Sequence, residues 1–232
     1  MNSEYPPAGL GGYGRSGVIS GGWTLVRPVG YKQAMRRLCF GGSFNPIHHG
    51  HLVCARAAAE KLGFQRVMLV PSAQPPHKPL SPDLAPPADR LAMCRLAAEL
   101  QPDLFEVEGL ELDRSGPSYT IDTALELHRR GWGEIHWLIG ADMLRILPSW
   151  HRSAELTQIV QFHILARPGW TMDFATLPPA LRPLEEHIVQ APLLDISGTD
   201  LRRRVGAGLS IEYLTPPNVA EYIHQCGLYR QA

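Results

Sequence analysis

The sequence has little cysteine, no long uncharged hydrophobic run and no excess of charge of either sign. Its cysteines stand singly without a CxxC spacing, which argues against a disulfide scaffold or a zinc ribbon and favours a reducing cytoplasm. No segment approaches the roughly 20 apolar residues of a membrane-spanning helix, and the N-terminus lacks the apolar core of a signal peptide. The chain is therefore predicted to be soluble, cytoplasmic and free of membrane contact.

The charged side chains balance, with 22 lysines and arginines against 22 aspartates and glutamates. Because there is no global basic field to draw the chain to nucleic acid, any site for an anion has to be local. A chain of 232 residues with 44% hydrophobic content is long enough to bury one substantial core. The sequence leaves open whether the chain forms a homo-oligomer.

The order of apolar and polar segments predicts one domain after a tail. Residues 1–34 are rich in glycine and serine, so they are predicted to form a flexible, disordered tail ahead of a single domain over residues 35–232. From there, short apolar runs alternate with longer amphipathic segments, which is typical of a doubly wound parallel α/β sheet of the Rossmann-like kind. Ligands of such sheets bind at the carboxyl ends of the strands.

The predicted elements follow from this alternation. Strands are predicted at residues 36–41, 66–71, 105–107, 135–139 and 162–166, with a last strand ending near Ile196. Helices are predicted at residues 51–62, 88–100, 119–130 and 217–225, with another starting at Thr199, and Pro148 breaks residues 144–158 into helical pieces. The prolines of residues 71–87 predict a long loop, and residues 170–192 are too irregular to assign.

The segment richest in candidate functional residues, GGSFNPIHHGH at residues 41–51, lies between the first predicted strand and helix. Its glycines let the backbone turn tightly beside a ligand, and Ser43 adds a hydroxyl donor. His48 and His51 are three residues apart, so they share one face near the helix start, where imidazole N–H groups and free amides suit phosphate. The alternatives are helix capping and metal binding, but no further ligand with the spacing of a zinc site is evident.

This segment and ISGTDLR at residues 196–202 resemble the (S/T)GxFxPxHxGH and ISxTxxR signatures of the nucleotidyltransferase superfamily. Either Ser197 or Thr199 is expected to cap a helix whose amides face phosphates, and Arg202 adds a bidentate charge. Intervening segments resemble the nicotinate-nucleotide branch of this superfamily. They are PPHK at residues 75–78, SYTIDT at 118–123, IGAD at 139–142, RPG at 167–169 and GLYR at 227–230.

The resemblance implies catalytic roles for Ser43, His48, His51 and Arg202, with His51 nearest the α-phosphate of ATP. Magnesium would accompany the ATP with mostly water ligands and no dedicated protein cage. The implied ATP-binding residues come from both signatures and from the IGAD strand end: Gly41, Gly42, Ser43, Phe44, His48, His51, Gly140, Asp142, Ile196, Ser197, Thr199 and Arg202.

The resemblance also implies a site for nicotinate mononucleotide at Lys78, Ser118, Tyr119, Thr120 and Trp150. Ser118 and Thr120 are expected to cap a helix whose free amides bind the pyridine carboxylate. Trp150 is expected to stack on the pyridine ring, with an ordinary core position as the alternative.

The reaction implied is attack by the 5′-phosphate of nicotinate mononucleotide on the α-phosphorus of ATP, which expels pyrophosphate. The sequence departs from the family pattern in its N-terminal tail and at Gly198. Alternatives are transfer to phosphopantetheine, disfavoured by the SYTIDT and IGAD segments and Trp150, or to nicotinamide mononucleotide, which is harder to exclude. A nucleotide-binding module without catalysis is a further alternative.

Overall fold

The computed structural model describes residues 35–76, 83–166 and 169–230. The predicted tail and Lys78 lie outside these residues. The described chain contains a six-stranded sheet in the order β3-β2-β1-β4-β5-β6, with every neighbouring pair parallel. The predicted doubly wound parallel sheet is therefore confirmed. Its strands are β1 (Arg37–Gly42), β2 (Arg66–Pro71), β3 (Phe105–Val107), β4 (Ile135–Gly140), β5 (Val160–Ala166) and β6 (Ile188–Gln190).

The helices cover both faces of this sheet, and three short 3₁₀ segments lie at Leu147–Ser149, Phe174–Thr176 and Pro179–His187. None of the described helices is long and apolar enough to cross a membrane. Most predicted bounds are within one or two residues of the observed ones. The α-helices are α1 (His49–Leu62), α2 (Pro87–Glu99), α3 (Thr120–Arg129), α4 (Ala141–Leu144), α5 (Ser153–Ile159), α6 (Gly198–Gly206) and α7 (Pro217–Gln225).

Alternating strand residues build two separate cores, one on each face of the sheet. Leu38 and Phe40 of β1 face the core formed with α1, α2, α6 and α7. Cys39, between them, faces the opposite core formed with α3, α4, α5 and the 3₁₀ segments. Because both faces of a parallel strand are buried, its sequence is a continuous apolar run. This explains why β1, β2 and β4 could be recognised from short hydrophobic segments alone.

The predicted last strand, ending near Ile196, is wrong in position. The strand at this edge is β6, which ends at Gln190, inside the region that the sequence left unassigned. The amide of Ala191 still donates to the carbonyl of Ala166 at 2.8 Å, but Pro192 has no N–H to continue the ladder. From there to α6 the described chain forms no further strand, so Ile196 and Ser197 lie in a connecting segment.

The strands β2 and β3 lie on one side of β1, and β4, β5 and β6 lie on its other side, so the strand order reverses between the central neighbours β1 and β4. In a doubly wound sheet this is the place where the loops after adjacent strands separate and leave a crevice at the carboxyl edge. The loop after β1 contains the GGSFNPIHHGH segment, and α4 follows directly after β4. The topology therefore brings residues 41–51 and the IGAD strand end to one crevice.

Gly41 of β1 lies close to the side chain of Trp137 in the neighbouring strand β4. An added β-carbon would lie 2.8 Å from Cζ2 of Trp137, whose side chain is buried and cannot withdraw freely. We expect Gly41→Ala to lower the free energy of unfolding by about 1–3 kcal/mol through overpacking. Gly133→Ala is the matched control, because nothing lies within 4 Å of its added β-carbon. Urea unfolding of both variants checks this, and equal stabilities would contradict it.

Candidate active site

The loop after β1 is anchored by an aromatic side chain. Phe44 has a positive φ of 42° and is 1% exposed. Its ring meets those of Phe40 and His51 edge-on, with centroids 5.6 and 5.2 Å away. Such edge-to-face contacts in a buried setting hold an aromatic ring firmly. Phe44 thus anchors a strained turn by packing against the core and against His51.

His48 and His51 form a stacked pair at the start of α1, as their spacing predicted. Their ring centroids are 3.7 Å apart with an angle of 26° between the planes. The amide of His48 donates to Nδ1 of His51 at 3.3 Å, so in a neutral His51 ring the proton is on Nε2. A β-carbon at Gly50 would lie 3.0 Å from the His48 ring, so a side chain there would press on the ring and require a small shift of it.

Burial governs the protonation of His48. The loss of hydration, helped by neighbouring His49, lowers the pKa of His48 to about 4. The side chain of His48 lies at the start of α1 and is 5% exposed. A nearby anion favours the charged form of an imidazole. His48 is therefore neutral at pH 7 and poised to gain charge when an anionic group approaches.

The second motif begins helix α6 and contacts the first motif directly. Ser197 caps the helix by accepting a hydrogen bond from the amide of Asp200 at 3.2 Å. Of the two residues expected as the cap, Ser197 and Thr199, the capping residue is therefore Ser197. Arg202 donates from Nη1 to the carbonyl of Asn45 at 2.8 Å, and its Nε is buried without a partner among the described residues. A β-carbon at Gly198 would lie 2.8 Å from that same carbonyl oxygen, which accounts for glycine there.

Asn45 is a functional-loop residue that sequence reasoning did not single out. Its Nδ2 donates to the carbonyl of Asp83 at 2.9 Å, and its Oδ1 accepts from the amide of Ala85 at 3.0 Å. Oδ1 also accepts from the hydroxyl of Tyr229 at 2.7 Å. The GLYR segment therefore contributes a side chain that fixes the loop of the first motif. An asparagine inside the motif was the available signal, but its partners are distant in sequence.

Three adjoining pockets line the carboxyl edge of the sheet. The histidine pocket shares Ser43 with the aromatic pocket and both motif histidines with the strand-end pocket, and Gly140 lines both the aromatic and the strand-end pockets. The histidine pocket is lined by Ser43, Phe44, His48, His51, Thr199 and Arg202. The aromatic pocket is lined by Ser118, Tyr119, Thr120, Trp137, Trp150 and His151. The strand-end pocket is lined by Gly140, Asp142, Leu165, Trp170, Ile196 and Ser197.

The aromatic pocket has flat side chains on several sides. Trp150 lines it and meets the ring of Phe162 edge-on at 6.1 Å. Tyr119 and His151 stack on one another with centroids 4.2 Å apart and an angle of 24°. Trp137, buried beneath Gly41, also lines the pocket. His151 and Trp137 were not among the predicted residues, although His151 directly follows Trp150.

The prediction that Ser118 and Thr120 cap α3 is wrong. The N-cap residue is Tyr119, which makes no side-chain capping bond, and Thr120 is already inside the helix. The hydroxyl of Ser118 instead accepts from the amides of Ala73 and Gln74, at 2.9 and 3.2 Å. Ser118 therefore ties α3 to the loop after β2, and the start of α3 has no side-chain cap where it borders the aromatic pocket.

A buried carboxyl group, Glu111, also lines the aromatic pocket and was missed from the sequence. It is 5% exposed and accepts a hydrogen bond of 2.7 Å from the hydroxyl of Thr123. Burial raises its pKa, while hydrogen bonds from Thr123 and Ser118 oppose the rise. Glu111 thereby links the start of α3 to the segment before it.

The predicted ATP-binding residues come together at this edge, with one difference in grouping. Ser43, Phe44, His48, His51, Thr199 and Arg202 line the histidine pocket, and Gly140, Asp142, Ile196 and Ser197 line the strand-end pocket. Gly41 and Gly42 line the aromatic pocket instead. Of the residues predicted for the acceptor, Ser118, Tyr119, Thr120 and Trp150 line the aromatic pocket. Their individual roles stay predictions.

The fold and the two joined motifs define a nucleotidyltransferase. Residues 39–204 match the cytidylyltransferase-like family. The structure is similar to that of Plasmodium falciparum nicotinic acid mononucleotide adenylyltransferase complexed with NaAD, with a TM-score of 0.66 and 20% identity, covering 84% of this chain and 97% of that one. At this level of identity the similarity concerns the fold.

Sequence relatives are closer. A "Probable nicotinate-nucleotide adenylyltransferase" of Roseiflexus sp. (strain RS-1) is 41% identical over 192 residues, which cover 82% of this chain and 96% of the relative. A relative of the same name from Herpetosiphon aurantiacus is 42% identical over 193 residues, with coverage of 82% and 96%. The chain therefore belongs to the cytidylyltransferase-like family and, within it, to the nicotinate-nucleotide adenylyltransferases.

The pKa of His48 predicts acid sensitivity of the fold. In the unfolded chain His48 is protonated with the ordinary pKa of 6.5, but in the folded chain only with a pKa of about 4. The stabilising contribution of neutral His48 is therefore fully present above pH 6.5 and is lost as the pH falls toward 4. Between pH 7 and pH 4.5 the free energy of unfolding falls by about 2 kcal/mol for this reason. We expect His48→Gln to be less acid-sensitive by that amount in urea unfolding, and His224→Gln, on an exposed residue of α7, to behave as wild type. Equal acid sensitivity of His48→Gln and wild type would contradict the assignment.

Proposed function

We propose that this chain transfers AMP from ATP to nicotinate mononucleotide, giving nicotinate adenine dinucleotide and pyrophosphate. The observation that carries this proposal is the set of three adjoining pockets, in which the pocket with phosphate-binding chemistry borders both the aromatic pocket and the strand-end pocket. The names of the curated relatives agree with it. A dinucleotide has the same layout, with two phosphates between two nucleosides.

ATP is assigned to the strand-end and histidine pockets. The adenosine group lies in the strand-end pocket, where Asp142, at the end of β4, accepts hydrogen bonds from ribose hydroxyls. The phosphates lie in the histidine pocket, against the ring N–H groups of His48 and His51. Support for this orientation comes from the two histidines, which line both pockets and so stand at the junction of ribose and phosphate.

Nicotinate mononucleotide is assigned to the aromatic pocket. Trp150 and the stacked pair of Tyr119 and His151 offer flat surfaces for the pyridine ring. The start of α3, which has no side-chain cap, offers backbone amides and the positive end of a helix dipole to the pyridine carboxylate. Ser43 lines both this pocket and the histidine pocket, so the 5′-phosphate of the acceptor meets the α-phosphate of ATP beside it.

The reaction needs alignment and charge stabilisation more than proton transfer. An oxygen of the acceptor phosphate forms a bond to the α-phosphorus. The bond from that phosphorus to the oxygen that bridges the α- and β-phosphates breaks, which releases pyrophosphate. His51 donates from Nε2 to the α-phosphate as negative charge develops there. Arg202 and the first amides of α6, behind the Ser197 cap, hold the leaving pyrophosphate. Holding both phosphates in line supplies much of the rate enhancement.

Magnesium fits this arrangement as a partner of the phosphates. The polar side chains that line the histidine pocket include imidazole, hydroxyl and guanidinium donors, which suit phosphate oxygens. Mg²⁺ commonly binds through substrate phosphates and water. When bound, it neutralises phosphate charge and makes pyrophosphate a better leaving group. We also place the reaction in the cytoplasm, a proposal supported by the low cysteine content and by the absence of any CxxC spacing in the sequence.

Pyrophosphate release tests the proposed function. Purified protein with magnesium and ATP is supplied with nicotinate mononucleotide, nicotinamide mononucleotide or phosphopantetheine at equal concentration. We expect release with nicotinate mononucleotide to exceed release with the other two. Release only with another acceptor would keep the phosphate site and overturn the substrate, and ATP binding without release would favour a non-catalytic binding module.

The role of His51 gives a sharper mutational test. We expect His51→Ala to lower kcat by about 10²–10³-fold, because it removes a preorganised donor to the charge that develops in the transition state. His224→Ala, an exposed histidine on α7, is the matched control and should leave kcat unchanged. A His51→Ala enzyme with near wild-type turnover would show that the α-phosphate is stabilised elsewhere.

A further inference from the structure

Arg90 of α2 is a completely buried arginine, 0% exposed, whose side-chain hydrogen bonds within the described residues go to backbone carbonyls. It lies behind the loop of the first motif and was not predicted from the sequence. Its donors reach three separate segments, the loop after β1, the loop after β2 and the chain just before α2. The bonds are Nη1 to Ser43 O (2.8 Å), Nη1 to Ser72 O (2.5 Å), Nη2 to Ala73 O (2.8 Å) and Nε to Ala85 O (2.9 Å).

This positive charge has no ionic partner in the described part of the chain. Arg90 pairs with no Asp or Glu there, and its neighbours include Cys94 and Tyr229, whose thiol and phenol are neutral at pH 7 because burial raises their pKa values. A buried charge without a counter-charge is costly, because carbonyl dipoles replace only part of its hydration. A bound anion on the other side of the Ser43 loop would supply the missing negative charge.

The carbonyls bound by Arg90 also fix where the following amides point. In a trans peptide the C=O and the next N–H point in opposite directions. The loop after β2 follows this rule, since the carbonyls of Ser72 and Ala73 bind Arg90 and the amides of Ala73 and Gln74 both donate to Ser118 on the other side. By the same rule, the carbonyl of Ser43 bound to Arg90 turns the amide of Phe44 away from α2.

Ser43 and Phe44 both line the histidine pocket. We propose that Arg90 is a positioning residue for substrate phosphate: it holds the Ser43 carbonyl so that the Phe44 amide faces the phosphate, and it stands behind the loop as the buried positive charge that the phosphate neutralises. This inference rests on the proposed function, because it takes the anion of the histidine pocket to be a phosphate of ATP or of the acceptor.

Calorimetric binding of ATP, tripolyphosphate and adenosine separates this role from a merely structural one. We expect Arg90→Met to weaken ATP and tripolyphosphate about tenfold, while adenosine changes less than about twofold, because only the phosphates face the lost charge and the loosened amide. Arg90→Lys, which keeps the charge but lacks the planar fork, should show a smaller loss with the same preference. Arg95→Met, an exposed arginine on the same helix, is the matched control and should bind all three as wild type does.

An unchanged ratio of ATP to adenosine affinity in the Arg90 variants would overturn the proposal, whether both ligands weaken together or neither does. If Arg90→Met does not fold, the same ratio in Arg90→Lys decides. Wild-type protein that binds no tripolyphosphate would overturn it as well. The proposed function is judged separately, by pyrophosphate release from the wild-type enzyme, so either conclusion can fail without the other.

Discussion

The hydrogen bond from Arg202 to the carbonyl of Asn45 joins the two motifs through residues that are 157 positions apart in the chain. The same carbonyl also lies close to Gly198 of the second motif, so the loop after β1 and the start of α6 are in contact at more than one point. As a result, the histidines of one motif and the guanidinium of the other share one pocket. Asn45 further secures the loop through Asp83, Ala85 and Tyr229, so the geometry of the phosphate site depends on contacts from several distant segments.

Close packing at glycine positions makes this junction feasible. At Gly50 a side chain would meet the His48 ring, and at Gly198 it would meet the carbonyl of Asn45. Neither glycine has a positive φ, so backbone conformation does not require glycine at these positions. The lack of a side chain instead lets the His48 ring approach Gly50 and the Asn45 carbonyl approach Gly198. Interiors packed at crystal-like density transmit such small volume changes directly. The site thus combines close contacts behind the loop after β1 with hydrogen-bond donors that line the histidine pocket.

The fold was predictable because parallel strands buried on both faces give unbroken apolar runs, and the two motifs marked where the crevice would lie. Residues that act through backbone carbonyls were not predictable, because Arg90 and Asn45 recognise positions brought together only by the fold. The capping role expected for Ser118 failed for a related reason, since its hydroxyl binds a loop 44 and 45 residues earlier in the chain. The strand expected near Ile196 failed because Pro192 ends the ladder before that point.

Direct in-line transfer between two bound phosphates is the central claim, and the stereochemistry at the α-phosphorus tests it most directly. The enzyme is supplied with nicotinate mononucleotide and one diastereomer of ATP that has sulfur on the α-phosphorus, and the configuration of the dinucleotide product is determined. A single displacement by the acceptor phosphate predicts inversion at that phosphorus. Retention would mean two successive displacements through a covalent enzyme intermediate, which would contradict the account.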